Sequence, residues 1–133
     1  MGIWLLRQNI SRGMENLQIA LDGDLPIAFH TMGEIIQFGS IEIPGYYLEL
    51  YNLTTRERKC EVSTNFYARS VLRGYLKSWL MLAEKRYVLE DFQSSYLLYA
   101  YSSFLGLPQG SFSAGYSWQK MKTSSLKCAL SSN

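Results

Sequence analysis

The chain of 133 residues contains a single histidine, so any Ser-His-Asp triad or Cys-His pair must be built around His30. No Gly-x-Ser-x-Gly motif or comparable local pattern marks a nucleophile. His30 lies between Phe29 and Thr31, at the end of a predicted strand. A structural role is the expectation for it, because a catalytic role would need a pocket that brings a carboxylate or a thiol within hydrogen-bond reach.

The sequence contains no recognisable motif for binding a metal ion or a phosphate group. Cys60 and Cys128 have no second cysteine or histidine nearby, whereas a structural zinc site needs about four clustered ligands. Asp22-Gly23-Asp24 is followed by Leu25 and Pro26 rather than by further oxygen ligands, so a turn is expected and not a calcium loop. Glycine-rich phosphate loops do not occur. The sequence predicts no metal, no cofactor and no enzyme activity.

Carboxylates keep an enzymatic alternative open. Glu34 and Glu49 lie on separate predicted strands and Glu42 lies between those strands, so two of the three could meet in space as an acid/base pair. A solvated acidic face accounts for the same three residues without any chemistry. A small enzyme of unrecognised type therefore remains an alternative hypothesis, and no small-molecule substrate is evident.

Charge is distributed unevenly along the chain, although the net charge is only +2. Residues 13–55 contain six acidic residues and no lysine or arginine. Residues 56–86 contain eight basic and three acidic residues, a net charge of +5. Such asymmetry can attract a charged partner, or it can reflect two differently charged faces of one fold.

A basic stripe is predicted within the second half of the chain. Apolar residues recur at intervals of three or four from Ala68 to Ala83, which predicts an amphipathic helix. Arg69, Arg73 and Lys77 repeat every fourth residue along the border of its apolar face. Cations in this arrangement can bind phosphate oxygens or an acidic protein surface. Their aliphatic stems can equally serve to cover apolar surface.

Tyrosine is abundant, with ten residues in the chain. The segment Tyr46–Leu53 alternates in the manner of a half-buried strand. If its leucines face the core, Tyr47 and Tyr51 face outward and could form a recognition or self-association surface. The alternative is that this second side of the sheet is buried as well.

The remaining pattern of the first half also predicts short strands. Turn signals occur at Asp22-Gly23 and Pro44-Gly45, where hairpins would reverse the chain. The predicted strands are Trp4–Ile10, Asn16–Leu21, Leu25–Phe29, Glu34–Phe38, Tyr46–Leu53 and Arg58–Ser63. Pro26 cannot donate to a ladder and places its strand at an edge or a bulge.

One local alternative concerns the residues that follow Leu53. Thr54 and Glu57 have the spacing of a capping box, so a helix could begin there. A hairpin is preferred, because the cluster Ser63-Thr64-Asn65 is unfavourable inside a helix.

The second half is expected to be mainly helical, although the run Tyr96–Tyr101 could equally be a buried strand. A second helix is predicted over Asp91–Leu105, with Asp91 as its N-cap and Gly106 as its stop signal. The Ser- and Gly-rich tail from Gln109 is expected to be loosely held unless Tyr116 and Trp118 dock on the body.

These elements predict an α+β fold: an antiparallel β-meander in the N-terminal half packed against two C-terminal helices. Residues 1–108 would form a single domain and residues 109–133 a C-terminal tail. No apolar run approaches the roughly 20 residues that span a bilayer, and no signal peptide is apparent. A cytoplasmic or otherwise intracellular location is therefore expected, with no membrane partner.

The functional hypothesis is a small non-catalytic interaction protein, an accessory, regulatory or assembly subunit within an oligomer or a complex. It would bind a protein partner, or itself, through a tyrosine-bearing sheet face (Tyr47 and Tyr51) and a basic helix ridge (Arg69, Arg73 and Lys77). The main alternative is a nucleic-acid-binding protein that uses the same ridge for phosphate contacts.

Overall fold

The protein is all-helical throughout the residues that the structure describes. This structure, a computed structural model, describes the backbone of residues 2–131 and the side chains of residues 5–120. Seven helices, joined by turns, make up most of the described backbone: α1 Gly2–Asp22, α2 Pro26–Phe38, α3 Gly45–Leu50, α4 Arg56–Leu72, α5 Lys77–Val88, α6 Phe92–Phe104 and α7 Pro108–Ser131. Since no strand occurs in residues 2–131, the predicted β-meander and the α+β fold class are wrong.

The predicted strands Trp4–Ile10 and Asn16–Leu21 both lie in α1, because their apolar residues also have a helical spacing. Ile10, Met14, Leu17 and Leu21 follow one another at intervals of four, three and four, and all pack into one core. Ile19, which a strand over Asn16–Leu21 would place on the same face as Leu17 and Leu21, is 68% exposed. The period-2 pattern was therefore a coincidence of a few residues within a helical pattern.

The turn signals mark real chain reversals, but the reversals join helices. α1 ends at Asp22, and Asp24 adopts a left-handed φ of 64° before α2 begins. Pro26 is the first residue of α2, a position where no intrahelical N–H bond is needed and where a fixed φ favours the helix. Pro26 therefore begins a helix and does not lie at the edge or in a bulge of a sheet.

The predicted hairpin over residues 46–63 is also wrong, since these residues lie in α3, a connecting turn and α4. Thr55, one residue beyond the suspected cap, accepts a hydrogen bond from the Arg58 N–H at 3.1 Å. Ser63 and Thr64 donate their hydroxyl protons to the Cys60 carbonyl at 3.0 and 2.7 Å. Because these bonds stay within the helix, the Ser-Thr-Asn cluster does not end it.

The helix predicted from Ala68 to Ala83 is interrupted by a turn. α4 ends at Leu72, and Gly74 has a φ of +94°, a backbone conformation that residues other than glycine rarely adopt. Gly74 N–H donates to the Val71 carbonyl at 2.9 Å and Tyr75 N–H to the Ser70 carbonyl at 3.1 Å. This pair of bonds is the Schellman motif, which ends the helix although the apolar periodicity continues.

The chain forms two compact units, residues 1–75 and residues 76–133. In unit 1, α2 packs extensively on α4, and α1 packs against α2. Apolar side chains, all but Ala28 larger than alanine, fill the core of this unit: Met14, Leu21, Ala28, Phe29, Met32, Ile36, Tyr47, Leu53, Val62 and Phe66.

Unit 2 contains α5, α6 and α7, and α6 packs against both of the others. Its core combines one large side chain, Tyr99, with small residues: Ala83 and Ala114 are buried, and Ser95, Ser102 and Ser117 have no exposed surface. Ser95 donates to the Ala83 carbonyl at 3.0 Å and lies 3.2 Å from the Ser117 hydroxyl. Small side chains with satisfied hydroxyl groups allow the helices to approach closely.

The predicted tail is helical in its described part. Tyr116 contacts Tyr87 and Trp118 contacts Tyr96, with ring centroids 5.8 and 5.2 Å apart. Both aromatic residues on which an ordered tail was expected to depend therefore contact the rest of unit 2. α6 also agrees with its prediction, since Asp91 caps it by accepting the Ser94 N–H. None of the helices in the described residues is both long and apolar enough to cross a membrane.

A glycine-to-alanine pair tests the close packing of unit 2. A Cβ at Gly110 would lie 2.6 Å from both the Ser103 nitrogen and the Tyr99 carbonyl oxygen. Because backbone atoms cannot move aside, Gly110→Ala should lower the free energy of unfolding by about 1–3 kcal/mol. Gly115→Ala, in the same helix with open space around it, should be neutral or stabilise by up to about 1 kcal/mol. Urea denaturation followed by circular dichroism measures both, and equal effects would contradict the packing described.

Candidate functional site

A cleft of about 230 Å³ in unit 1 brings together one residue from each of the two predicted surfaces. Tyr51 comes from the end of α3 and Arg69 from the last turn of α4. The cleft is lined by Leu50, Tyr51, Asn52, Arg58, Val62, Asn65, Phe66 and Arg69. Its wall therefore combines two guanidinium groups, two amides and an apolar floor, and it contains no carboxylate.

One face of α4 supplies most of this lining. Arg58, Val62, Asn65, Phe66 and Arg69 follow one another at helical spacings of three or four, with Asn65 and Phe66 adjacent. Eleven residues of helix separate the two arginines, a rise of roughly 16 Å between their backbones. The cleft thus has a cationic residue near each end and apolar side chains between them.

The Arg58 side chain has a hydrogen-bond donor that is buried and unpaired among the described residues. Its Nε atom is shielded from solvent and has no hydrogen-bond partner among the described residues. Its Nη1 lies 3.3 Å from Glu61 Oε2, an ion pair between partly exposed groups that contributes little to stability. A shielded donor without an acceptor costs about 1–3 kcal/mol, and a carboxylate in the cleft removes that cost only if its binding turns the Arg58 guanidinium so that the Nε–H group faces the cleft.

Arg69 is exposed, and its guanidinium carbon lies 5.9 Å from the centroid of the Phe66 ring. This cation–π contact orients the planar group at the edge of the cleft without neutralising its charge. Arg69 can therefore still bind a carboxylate in a bidentate manner.

The tyrosines do not form the predicted surface. Tyr47 is only 6% exposed and belongs to the core, where burial, followed by the charge of Glu15, raises its pKa. Tyr51 is half-buried, donates its hydroxyl proton to Gln18 at 2.8 Å and packs edge-on against Phe66. Burial is also the main cause of the raised pKa of Tyr51. The described residues contain no sheet to carry an outward tyrosine face, and Tyr51 instead forms a fixed wall of the cleft.

The predicted basic ridge is divided. Arg73 Nε lies 2.6 Å from Asp24 Oδ1, and Arg73 Nη1 donates to the Arg69 carbonyl at 3.0 Å. The same guanidinium lies 4.3 Å from the centroid of the Phe29 ring. Arg73 is thus held by contacts within unit 1, while the exposed Lys77 begins α5 in unit 2. The three cations do not share one helical stripe.

His30 is buried, with Nε2 at 2.9 Å from Glu34 Oε1 on the same helix. The rings of Tyr67 and Tyr75 lie 5.4 and 4.9 Å from its own. A carboxylate is therefore within hydrogen-bond reach, as a catalytic histidine would require. Packing alone also explains the arrangement, because His30 and Glu34 lie one helical turn apart and two aromatic rings contact His30.

The sequence-based prediction missed Arg58, Asn65 and Asn52. Arg58 was assigned to a hairpin strand, so its helical spacing to Val62 and to the Asn65–Phe66 pair could not be used. The available signal was Thr55, whose capping position would have placed residues 58, 62, 65, 66 and 69 on one face.

No protein-family model, curated protein or solved structure matches this chain. Within the part of the chain that the structure describes, no three His, Cys, Asp or Glu side chains are placed to hold a metal ion.

Alkaline unfolding tests the placement of Tyr47. The unfolded chain ionises this tyrosine near its ordinary pKa of 10.0, whereas burial keeps the folded side chain protonated to a higher pH. The folded state then binds more protons than the unfolded state, so the free energy of unfolding falls as the pH rises through this range. Tyr47→Phe should make that fall less steep.

Tyr46→Phe is the matched control, because Tyr46 is 66% exposed and adjacent in sequence. Urea denaturation at pH 9 and pH 11 measures the two slopes. An unchanged slope for Tyr47→Phe would mean that Tyr47 is exposed after all.

Proposed function

We propose that this protein is a small non-catalytic interaction protein that binds an acidic segment of a protein partner in the cleft of unit 1. The observation that carries the proposal is the shielded Arg58 Nε atom, which lacks an acceptor among the described residues. A carboxylate oxygen is a suitable acceptor for a guanidinium N–H, and the charge-assisted bond is stronger than a neutral one.

The spacing of the two arginines favours an extended ligand. Their backbones are roughly 16 Å apart along α4, a distance that about five residues of extended chain span at ~3.3 Å each. A peptide with acidic residues about four to six positions apart can therefore meet both guanidinium groups. A single small anion can meet only one of them without a large movement of the arginine side chains.

The middle of the cleft specifies an apolar residue between the two acids. Val62 and Phe66 form the floor, and Leu50 is 52% exposed at the rim. An apolar side chain laid on this floor would lose contact with water, at ~25 cal/mol for each Å² buried. The side-chain amide of Asn65 has both donor and acceptor capacity for the peptide backbone.

Nucleic acid fits the cleft less well than an acidic peptide. Binding of single strands relies on aromatic faces that stack on bases. Phe66 is only 5% exposed, and Tyr51 is fixed by its hydrogen bond to Gln18 and its contact with Phe66. Arg73, a member of the predicted phosphate-binding ridge, is paired with Asp24.

Fluorescence anisotropy with a labelled peptide, Glu-Ala-Leu-Ala-Ala-Glu flanked by Gly-Ser, tests the proposal on the full chain. Arg58→Gln and Arg69→Gln should each weaken binding about tenfold or more, because each removes a charge-assisted pair worth about 1.5–3 kcal/mol. Arg56→Gln is the matched control, since Arg56 is exposed, lies on α4 and does not line the cleft.

Two results would contradict the proposal. One is an equal loss of affinity in Arg56→Gln, which would indicate attraction by net charge alone. The other is tighter binding of a single-stranded oligonucleotide of matched charge, lost on Arg58→Gln, which would favour the nucleic-acid alternative.

A further inference from the structure

We infer a second binding site in unit 2, specific for a small, neutral, planar aromatic molecule of about the size of indole. It is a pocket of about 210 Å³ formed between α5, α6 and α7. Its lining consists of Tyr87, Tyr99, Phe112, Ser113, Tyr116 and Ser117. The inference is independent of the cleft in unit 1, because no residue is shared.

The size of the pocket restricts the ligand. A volume of about 210 Å³ is smaller than the ~300–1,000 Å³ typical of pockets for drug-sized ligands. It is somewhat larger than the ~150 Å³ apolar cavity that is known to bind benzene. One or two fused rings fit this range, and a larger cofactor does not.

The chemistry of the lining selects a neutral aromatic. Four of the six lining residues are aromatic and none is charged. Aromatic rings prefer edge-to-face or offset contacts, which a planar guest can make with several walls at once. The pKa of Tyr99 is raised by burial and by the nearby Glu84, so this region disfavours additional negative charge.

Hydroxyl groups add a polar preference at the walls. The Ser113 hydroxyl partly offsets the rise in the pKa of Tyr99, and the Tyr87 and Tyr116 rings contact each other with centroids 5.8 Å apart. Each hydroxyl has one donor proton and two acceptor positions, so even a hydroxyl that donates to a neighbour keeps acceptor capacity. A ligand with one N–H or O–H donor, such as indole or phenol, can use that capacity.

The mouth of the pocket provides a driving force for binding. Phe112 is 80% exposed and Tyr116 is 49% exposed, although both rings line the pocket. A bound ring would remove part of this apolar surface from water. Isolated exposed apolar residues are common, but here the exposed rings surround a concave site.

Titration of the full chain with free indole, followed by ¹H–¹⁵N chemical shifts and calorimetry, tests this inference. Shifts should concentrate on residues 87–117 of unit 2. Indole-3-carboxylate, which is similar in shape but negatively charged, should bind at least tenfold more weakly. N-acetyltryptophanamide, which carries a peptide backbone, should also bind more weakly because its backbone would meet Phe112 and Tyr116 at the mouth.

Two variants locate the site. Phe112→Ala should weaken indole binding about three- to tenfold, in line with the loss of one aromatic contact. Phe104→Ala is the matched control: Phe104 is 86% exposed on α6 and does not line the pocket. Ser113→Phe should fill the pocket and abolish binding, with an unchanged helical spectrum as the check on folding.

The inference is overturned if indole gives no saturable shifts at millimolar concentration, or if Phe104→Ala and Phe112→Ala weaken binding equally. Tighter binding of N-acetyltryptophanamide than of indole would also overturn it, since it would identify a partner's side chain as the ligand. None of these results bears on the peptide cleft, whose residues lie in α3, α4 and the turn between them.

Discussion

The left-handed turn at Gly74 decides which cations of this protein can meet a partner. Because it ends α4 at Leu72, Arg73 takes the C-cap position, where its guanidinium reaches Asp24 and the Phe29 ring. Arg69, one turn earlier, stays on the face of α4 that lines the cleft. Lys77 begins a new helix and belongs to the second unit. A continuous helix would have placed all three cations on one stripe.

The two units are stabilised by different kinds of packing. Unit 1 buries large side chains such as Met14, Phe29 and Met32, so its helices enclose an ordinary apolar core. Unit 2 surrounds Tyr99 with serine, alanine and Gly110, which let helix backbones approach closely while the serine hydroxyls bond to backbone carbonyls or to each other. The two candidate sites follow this division, since one is bordered by guanidinium groups and the other by uncharged aromatic rings.

The sequence predicted individual helix signals better than it predicted the fold. Asp91 and Gly106 correctly bracket α6, because a side-chain cap and a left-handed glycine act locally. The alternation at Leu17, Ile19 and Leu21 was misleading, since a few residues can satisfy both a period of two and a helical spacing. Asp24, Asn52 and Glu90 adopt positive φ without being glycine, so no left-handed glycine marks these three positions in the sequence.

For the candidate site, the sequence identified Arg69 and Tyr51 but assigned them to separate surfaces. Their proximity depends on how α3 and the following turn fold back on α4, a tertiary contact that no local pattern reports. Arg73 illustrates the opposite difficulty. Its spacing indicated an exposed stripe, yet Asp24, distant in sequence, holds its guanidinium at 2.6 Å.

The most direct test of the central claim observes the Arg58 Nε–H group itself in ¹H–¹⁵N spectra that resolve arginine side chains. On addition of the acidic peptide, the Arg58 Nε proton should shift downfield as it gains an acceptor. Saturable binding that leaves this resonance unchanged would show that the peptide binds elsewhere and would contradict the account.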